Sequence, residues 1–387
     1  MYIERQLSHA IRNLSRMFPI VAVTGPRQSG KTTLVKHEFS SHPYVSLEDP
    51  DEMEYANADP RGFLDRFSEG AIFDEAQRAP KLFNYLQSIT DAKRKMGRYV
   101  LTGSSQFSLV SGITQSLSGR VGAVTLLPFS VGELLASGET DVSLEDLLVK
   151  GFYPPLYDRG IDSHTWYSNY VSTYVERDVR QLINIRDLRT FQAFLRVCAS
   201  RSGRLINMSS ISQDIGISHN TVRAWLSILE ASYIIHFLTP YLPNIAKRQV
   251  KTPKMHFIDT GLLSWLLGIR DPAQIDLNPM KGQLFESFAV SELLKSRFNR
   301  AEPSDLCFYR DTSGLEVDVI LERGTKITPI EIKSSRTMKA DLLRGVEKFS
   351  SMAGDATAGS ALIYAGDESR KWRETDIISW RDIGSLA

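Results

Sequence analysis

Cysteine is nearly absent: Cys198 and Cys307 are the only two in 387 residues, with no C-x-x-C pair. A disulfide framework and a cysteine-based zinc site are therefore excluded, and a reducing compartment is the natural setting. Long apolar runs are missing as well. The stretch 262–269 falls far short of the roughly 20 residues a membrane-spanning helix needs. The opening residues Met1-Tyr2-Ile3-Glu4-Arg5 carry charge and no apolar signal core, so a cytoplasmic protein without membrane contact is expected. Internal repeats and low-complexity tracts are also lacking, which sets aside solenoids and disordered tails. Neither charge sign dominates: the net charge is +1 and 42% of residues are hydrophobic, so the chain is no generic polycation and has material for two or three cored domains.

What is present begins with Gly25-Pro26-Arg27-Gln28-Ser29-Gly30-Lys31-Thr32, preceded by the apolar run Ile20–Thr24 and followed by Thr33-Leu34-Val35. Strand, G-x-x-x-x-G-K-T, then helix is the pattern of a phosphate-binding loop. Its glycines let successive N–H groups curl toward phosphate oxygens, Lys31 reaches the β- and γ-phosphates, and Thr32 offers a hydroxyl to Mg²⁺. Residues Gly25 to Thr33 are thus the expected nucleotide contacts, with ATP and Mg²⁺ as cofactors. A second apolar run, 71–73, ends in Asp74-Glu75. At such a strand end one carboxylate holds Mg²⁺ and the next polarises the attacking water. Thr32 and Asp74 are the candidate metal ligands, and Glu75 is a candidate catalytic residue.

Up to residue 137 strand-like runs (20–24, 44–47, 71–74, 98–102 and 123–127) alternate with amphipathic segments, as in an α/β domain on a parallel sheet. A helical lid or connector is expected over 138–203, broken at Gly151-Phe152-Tyr153-Pro154-Pro155, a short domain over 204–270, and a strand-rich α/β domain with flanking helices over 280–387. From Glu176 to Lys254 twelve basic residues face five acidic ones, so positive charge gathers mid-chain. The same stretch has a helix-turn-helix rhythm: 209–215, a turn at Gly216, then 218–229, with Ser209 and Ser218 as caps. Ile211, Ile215, Val222, Trp225, Leu226 and Leu229 form the inward stripe. Asn220, Thr221 and Arg223 are left outward near the start of the second helix, from which such helices meet DNA. Runs 233–237 and 254–258 are expected to pair as a wing, with Lys247, Arg248 and Lys251 between them as further DNA contacts.

A third constellation lies near the end. Glu316 to Leu321 alternates like a strand, Gly324 marks a turn, and Ile330-Glu331-Ile332-Lys333 is a second strand. In a hairpin, Asp318, Glu331 and Lys333 share one face, because residues two apart on a strand point the same way. Carboxylates of this kind hold a hard divalent cation and a lysine beside them activates water. Glu286, on a helix expected over 283–294, adds a further acid. Glu286, Asp318, Glu331 and Lys333 form a candidate phosphodiesterase site.

With these residues in view, the N-terminal part resembles AAA+ ATPases. Tyr99-Val100-Leu101-Thr102-Gly103 is similar to their fourth core strand, which implies Thr102 as the polar sensor of the γ-phosphate or attacking water. Arg120, in Ser116-Leu117-Ser118-Gly119-Arg120, matches the place of an arginine finger supplied to a neighbour, which implies a ring or filament of identical subunits. No second sensor arginine stands out in the lid. Across nearly the whole chain the motif order resembles a prokaryotic AAA-type ATPase family with a C-terminal domain of unknown function. The marks are Gly25-Pro26-Arg27-Gln28, Asp74-Glu75-Ala76-Gln77, Ser116 to Arg120, Tyr174-Val175-Glu176-Arg177-Asp178-Val179, and Gly314 to Asp318 with Pro329 to Lys333. The terminal part resembles PD-(D/E)xK nucleases, and its Asp318-to-Glu331 spacing is similar to that of archaeal Holliday junction resolvases. The resemblance implies a phosphate-loop AAA+ core with helical lid, a winged helix and a nuclease-like α/β domain. Three functions remain open: an ATP-hydrolysing, DNA-binding motor or switch for branched or damaged DNA, whose terminal domain cuts or clamps it; a switch-type signalling ATPase whose helical modules dock a protein partner; or a metal-dependent nuclease whose ATPase domain only regulates assembly.

Overall fold

The apolar runs of the N-terminal third become parallel strands. A computed structural model of the chain describes residues 2–92, 94–104, 116–175, 188–241 and 252–386. They form two units: Met1–Phe129 with Ala231–Tyr233 and Arg297–Glu302, and Ser130–Glu230 with Ile234–Ser296 and Pro303–Ala387. In the first, α1 (Leu7–Met17), β1 (Ile20–Thr24), α2 (Lys31–Glu38), β2 (Tyr44–Ser46), α3 (Pro50–Ala58), α4 (Pro60–Asp65), β3 (Ala71–Asp74), α5 (Lys81–Ala92), β4 (Tyr99–Gly103) and β5 (Val121–Thr125) follow in sequence. The five strands lie in the order β2-β3-β4-β1-β5, every pair parallel.

Because side chains alternate along a strand, one apolar run feeds two cores. Val21, Val23, Ile72, Val100 and Val124 pack with Leu7, Ile11, Leu34 and Val35. Ile20, Ala22, Phe73, Tyr99 and Leu101 pack on the other side with Phe63, Leu82, Phe83 and Leu86. Each fully buried Val, Leu, Ile or Phe among them contributes about 1.5–3 kcal/mol relative to exposure. Strand β5 begins two residues earlier than the sequence pattern suggests, because β1 pairs with it from Ile20↔Val121 to Thr24↔Thr125. Gly122 weakens the local strand signal. It is required there because a Cβ would sit 2.9 Å from the Phe18 ring and 3.1 Å from Leu14.

The second unit continues with α6 (Val131–Ala136), α7 (Leu144–Lys150), α8 (Pro155–Asp158), α9 (Ser163–Tyr170), α10 (Leu188–Ala199), α11 (Met208–Ile215), α12 (His219–Ala231), α13 (Thr260–Leu266), α14 (Ala273–Leu277), α15 (Lys281–Asn299) and α16 (Arg344–Ala353). Its strands are β6 (Arg204–Leu205), β7 (Ile235–Pro240), β8 (Lys254–Phe257), β9 (Leu306–Arg310), β10 (Glu316–Arg323), β11 (Lys326–Lys333), β12 (Ser360–Tyr364), β13 (Arg370–Trp372) and β14 (Thr375–Ser379). All nine belong to one mixed sheet, ordered β13-β14-β12-β11-β10-β9-β7-β8-β6. The break at Gly151 is explained by a tight approach: the residue has φ +78 and its Cβ would overlap the Tyr167 hydroxyl. Phe152 N–H donates to the buried Asp259 carboxylate at 2.8 Å.

The two helices of the helix-turn-helix rhythm are α11 and α12, with Gly216 left-handed at the turn (φ 76). One cap differs from expectation. Asn207, not Ser209, starts α11, its side chain accepting the Ser210 N–H at 2.9 Å; a helix takes whichever capping residue sits one position before its first turn. Ser218 does cap α12, accepting from Thr221 N–H at 3.1 Å. Strands β7 and β8 pair antiparallel from Ile235↔Phe257 to Leu238↔Lys254, so the pairing begins two residues beyond the expected Tyr233. That residue is left-handed (φ 57) and cannot continue a strand. Helix α15 runs past both ends of the expected 283–294.

Candidate active site

The phosphate loop takes its shape from backbone that only special residues tolerate. Gly25 has φ +145, and a Cβ on it would lie 2.1 Å from the Leu126 carbonyl oxygen. Gln28 (φ 61) and Gly30 (φ 92) are also left-handed. Alternating handedness turns successive N–H groups to one concave side, an anion nest. Gly30 then starts α2 without a side-chain cap, so the positive end of that helix closes the nest. The Lys31 Nζ bonds the Pro26 and Gly25 carbonyls of its own loop at 2.8 and 3.1 Å. Ser29 Oγ is buried with no partner among the described residues. A phosphate chain fits this cradle.

Bracing comes from a residue that sequence reasoning did not single out. Arg5 is buried and its guanidinium donates to the Ser29 carbonyl at 2.8 Å and the Leu127 carbonyl at 2.7 Å, lying 4.7 Å over the Phe129 ring. No local pattern marks it, because both acceptors are backbone atoms far along the chain.

Asp74, at the end of β3, gathers three hydroxyls. It accepts from Thr32 at 2.9 Å, from Tyr44 at 2.7 Å and from Thr102. Burial, then the bond to Asp74, holds the Tyr44 phenol well above its ordinary pKa, so it stays a donor. Thr32 and Asp74 are hard oxygen donors held side by side, the chemistry that suits Mg²⁺. The Thr102 hydroxyl is thus committed to Asp74. Glu75 adopts a left-handed backbone (φ 54, ψ 46), a cost that non-glycine residues carry mainly at functional sites. Its carboxylate accepts from Ser104 Oγ at 3.0 Å and from Gln77. Tyr44 and Ser104 join the site as residues the sequence reading missed. Arg120 forms a two-pronged ion pair with Asp91 of the same chain at 2.7 and 2.8 Å, and its third nitrogen bonds the Ser118 carbonyl.

A second cluster forms in the nine-stranded sheet. The β10 register shifts between Val317 and Ile320, and this bulge re-aims Asp318, whose carboxylate accepts the Ile332 N–H at 2.9 Å. Lys333 pairs with Asp318 at 3.5 Å and with Glu331. The expected convergence of Asp318, Glu331 and Lys333 is present, and Glu286 of α15 reaches it through a residue not anticipated. Lys254 on β8 sits 2.9 Å from Glu286, 2.6 Å from Glu316 and 3.8 Å from Asp318. Burial alone would lower its pKa, but Glu286, Asp318 and Glu316 override that and keep the ammonium charged. Burial and then the Asp318 charge push Glu286 and Glu331 each up to about 7. One signal could have exposed Lys254: a lysine inside Lys254-Met255-His256-Phe257, a wholly buried strand, must have charged partners. Among the described residues no group of three or more His, Cys, Asp or Glu is arranged to hold a metal ion.

On α12, Asn220 and Arg223 are exposed and Thr221 is half-buried, its hydroxyl 2.8 Å from that of Ser218. Lys247, Arg248 and Lys251 lie outside the described residues, as do Glu176 to Val179. No described helix is long and apolar enough to cross a membrane.

Comparison with known proteins agrees with the loop geometry. Residues 17–135 match the AAA domain, 141–273 a domain of unknown function (DUF8612), and 281–383 another domain of unknown function (DUF4143). The uncharacterized protein Rv2008c of Mycobacterium tuberculosis is 31% identical over 371 residues, which cover 95% of this chain and 81% of that protein. The uncharacterized protein Mb2031c of Mycobacterium bovis matches to the same extent. The chain belongs to the family of these mycobacterial proteins. This family member carries an AAA-type ATPase domain, whose span includes the loop from Gly25 to Thr32. Among solved structures, the Walker-type ATPase PABY2304 of Pyrococcus abyssi aligns with a TM-score of 0.47 at 15% identity, over 68% of this chain and 96% of that one.

Proposed function

We propose that this AAA-domain protein is an ATP-hydrolysing, DNA-binding motor or switch acting on branched or damaged DNA. The observation that carries the reading is the pairing of Asp74, bonded to Thr32 beside the nest, with a Glu75 held in strained backbone one residue on. In this reading Lys31 neutralises the β- and γ-phosphates, Thr32 and Asp74 hold Mg²⁺, and Glu75, steadied by Ser104, orients the attacking water. Thr102 and Tyr44 fix the Asp74 carboxylate. Arg120 leaves Asp91 to complete a neighbour's site in a ring or filament.

Residues 1–137 are the AAA+ core, 138–203 the lid, 204–270 a winged helix and 280–387 a nuclease-like domain. The order β6, α11, α12, β7, β8, with β8 antiparallel to both β6 and β7, supports the winged helix. Exposed Asn220 and Arg223, in a segment rich in positive charge, support DNA contact. The carboxylates and lysines around Asp318 support the nuclease-like fold.

Steady-state ATP hydrolysis with Mg²⁺, alone and with single-stranded, duplex, forked and four-way DNA, tests the reading. Turnover should rise with at least one form, fall as salt disrupts phosphate contacts, and drop by about 10²–10⁴-fold in Glu75→Gln, the range for loss of a positioned acid–base group. Turnover indifferent to every DNA form would overturn the DNA-directed reading and favour the signalling switch.

A further inference from the structure

We infer that Lys254 is the built-in cation of the carboxylate cluster: its ammonium stands where a nuclease-like fold would hold a divalent metal ion, and it keeps that position closed to metal. The inference rests on the nuclease-like reading of the terminal domain and makes the cluster a binding or architectural site, not a cutting one.

The geometry of Lys254 supports this. Its Nζ lies 2.9 Å from Glu286 Oε1, 2.6 Å from Glu316 Oε1 and 3.8 Å from Asp318 Oδ1. A hard divalent cation would have to draw on these same carboxylates, and their oxygens are already engaged by the ammonium. Lys254 lies in β8, in register with Leu205 of β6 and Leu238 of β7, with its ammonium 5.5 Å from the Phe308 ring. A lysine at a chain end or on a loop could swing aside for a metal; this one is fixed by the sheet on both edges. Lys333, the lysine expected of such a site, is present separately on Asp318 and Glu331, so Lys254 is an additional positive charge and not a displaced copy.

A neighbouring group registers that charge. His256, on the same face of β8 and 3.9 Å from Glu286, is held neutral by burial and then by Lys254. The described residues contain no cluster of three or more metal-ligating side chains, although four carboxylates converge here. An ammonium with its three N–H donors is shared among Glu286, Glu316 and Asp318.

The test is Mn²⁺ binding to the nucleotide-free full chain, by electron paramagnetic resonance of free Mn²⁺ and by calorimetry. Proteins compared are the native chain, Asp318→Asn, Lys254→Met and Lys254→Met/Asp318→Asn; binding at the phosphate loop is common to all and cancels. The native isotherm should be unchanged by Asp318→Asn. Lys254→Met should gain one site per chain, at least ten-fold tighter than the background, and the double variant should lose it. Should Lys254→Met not fold by circular dichroism, Lys254→Gln, which removes the charge while keeping a polar side chain among the carboxylates, carries the same expectation. Native protein binding Mn²⁺ in an Asp318-dependent way would overturn the inference while leaving the nuclease-like reading standing. No Asp318-dependent binding in any variant would overturn both.

Discussion

Replacing Arg5 by methionine tests how much of the phosphate loop is held from outside it. The guanidinium bonds two backbone carbonyls, those of Ser29 inside the loop and Leu127 beyond β5. A hydrogen bond with a charged partner contributes about 1.5–3 kcal/mol, and the Phe129 contact adds about 1 kcal/mol. Methionine recovers the packing of the stem and none of the donors, leaving buried carbonyls without this partner. The expected loss is about 3 kcal/mol of stability, read by urea unfolding of the nucleotide-free protein. Affinity for a fluorescent ATP analogue should weaken about ten-fold, equivalent to about 1.4 kcal/mol, because the Ser29 peptide belongs to the nest. Arg5→Lys should lose about half as much stability, since one ammonium cannot reproduce a fork between two carbonyls. A loss under about 1 kcal/mol in Arg5→Met, with unaltered nucleotide affinity, would refute the bracing role.

Three further outcomes follow from the same geometry. Gly25→Ala forces a Cβ to within 2.1 Å of the Leu126 carbonyl at φ +145; a cost of about 3 kcal/mol or more and loss of ATP-analogue binding are expected, and near-native binding would contradict the loop geometry. Tyr44→Phe removes one donor from Asp74, about 1–1.5 kcal/mol, and should slow Mg²⁺-dependent hydrolysis about ten-fold while leaving metal-free nucleotide binding unchanged. Burial pushes the His236 pKa down to about 4, so between pH 6.5 and 4 the unfolded chain takes up a proton that the folded chain refuses. Stability therefore falls as pH drops through that window, by about 2–3 kcal/mol from this residue. Denaturation of His236→Gln alongside the native chain isolates the effect from Glu286 and Glu331, whose raised pKa acts in the opposite sense between the ordinary carboxylate range and about 7.

Local chemistry was enough to recognise the loop from Gly25 to Thr32, the Asp74-Glu75 strand end, the alternating core strands and the α11–α12 pair. Each rests on contacts between residues close in sequence: a glycine that permits left-handed backbone, a strand whose side chains alternate, a cap one position before its helix. The hairpin of β10 and β11 was legible for the same reason, since its register follows from one short turn at Gly324. What only the tertiary structure decided was the company those elements keep. Arg5 meets Leu127 across 122 positions of sequence, and Lys254 meets Glu286 across 32; neither separation leaves a periodic trace. Glu316 reads as an ordinary strand residue until Lys254 of β8 arrives beside it, and Tyr44 as a core aromatic until its hydroxyl finds Asp74. A buried charge or donor is determined by whichever distant partner offsets its desolvation, and folding alone brings that partner near.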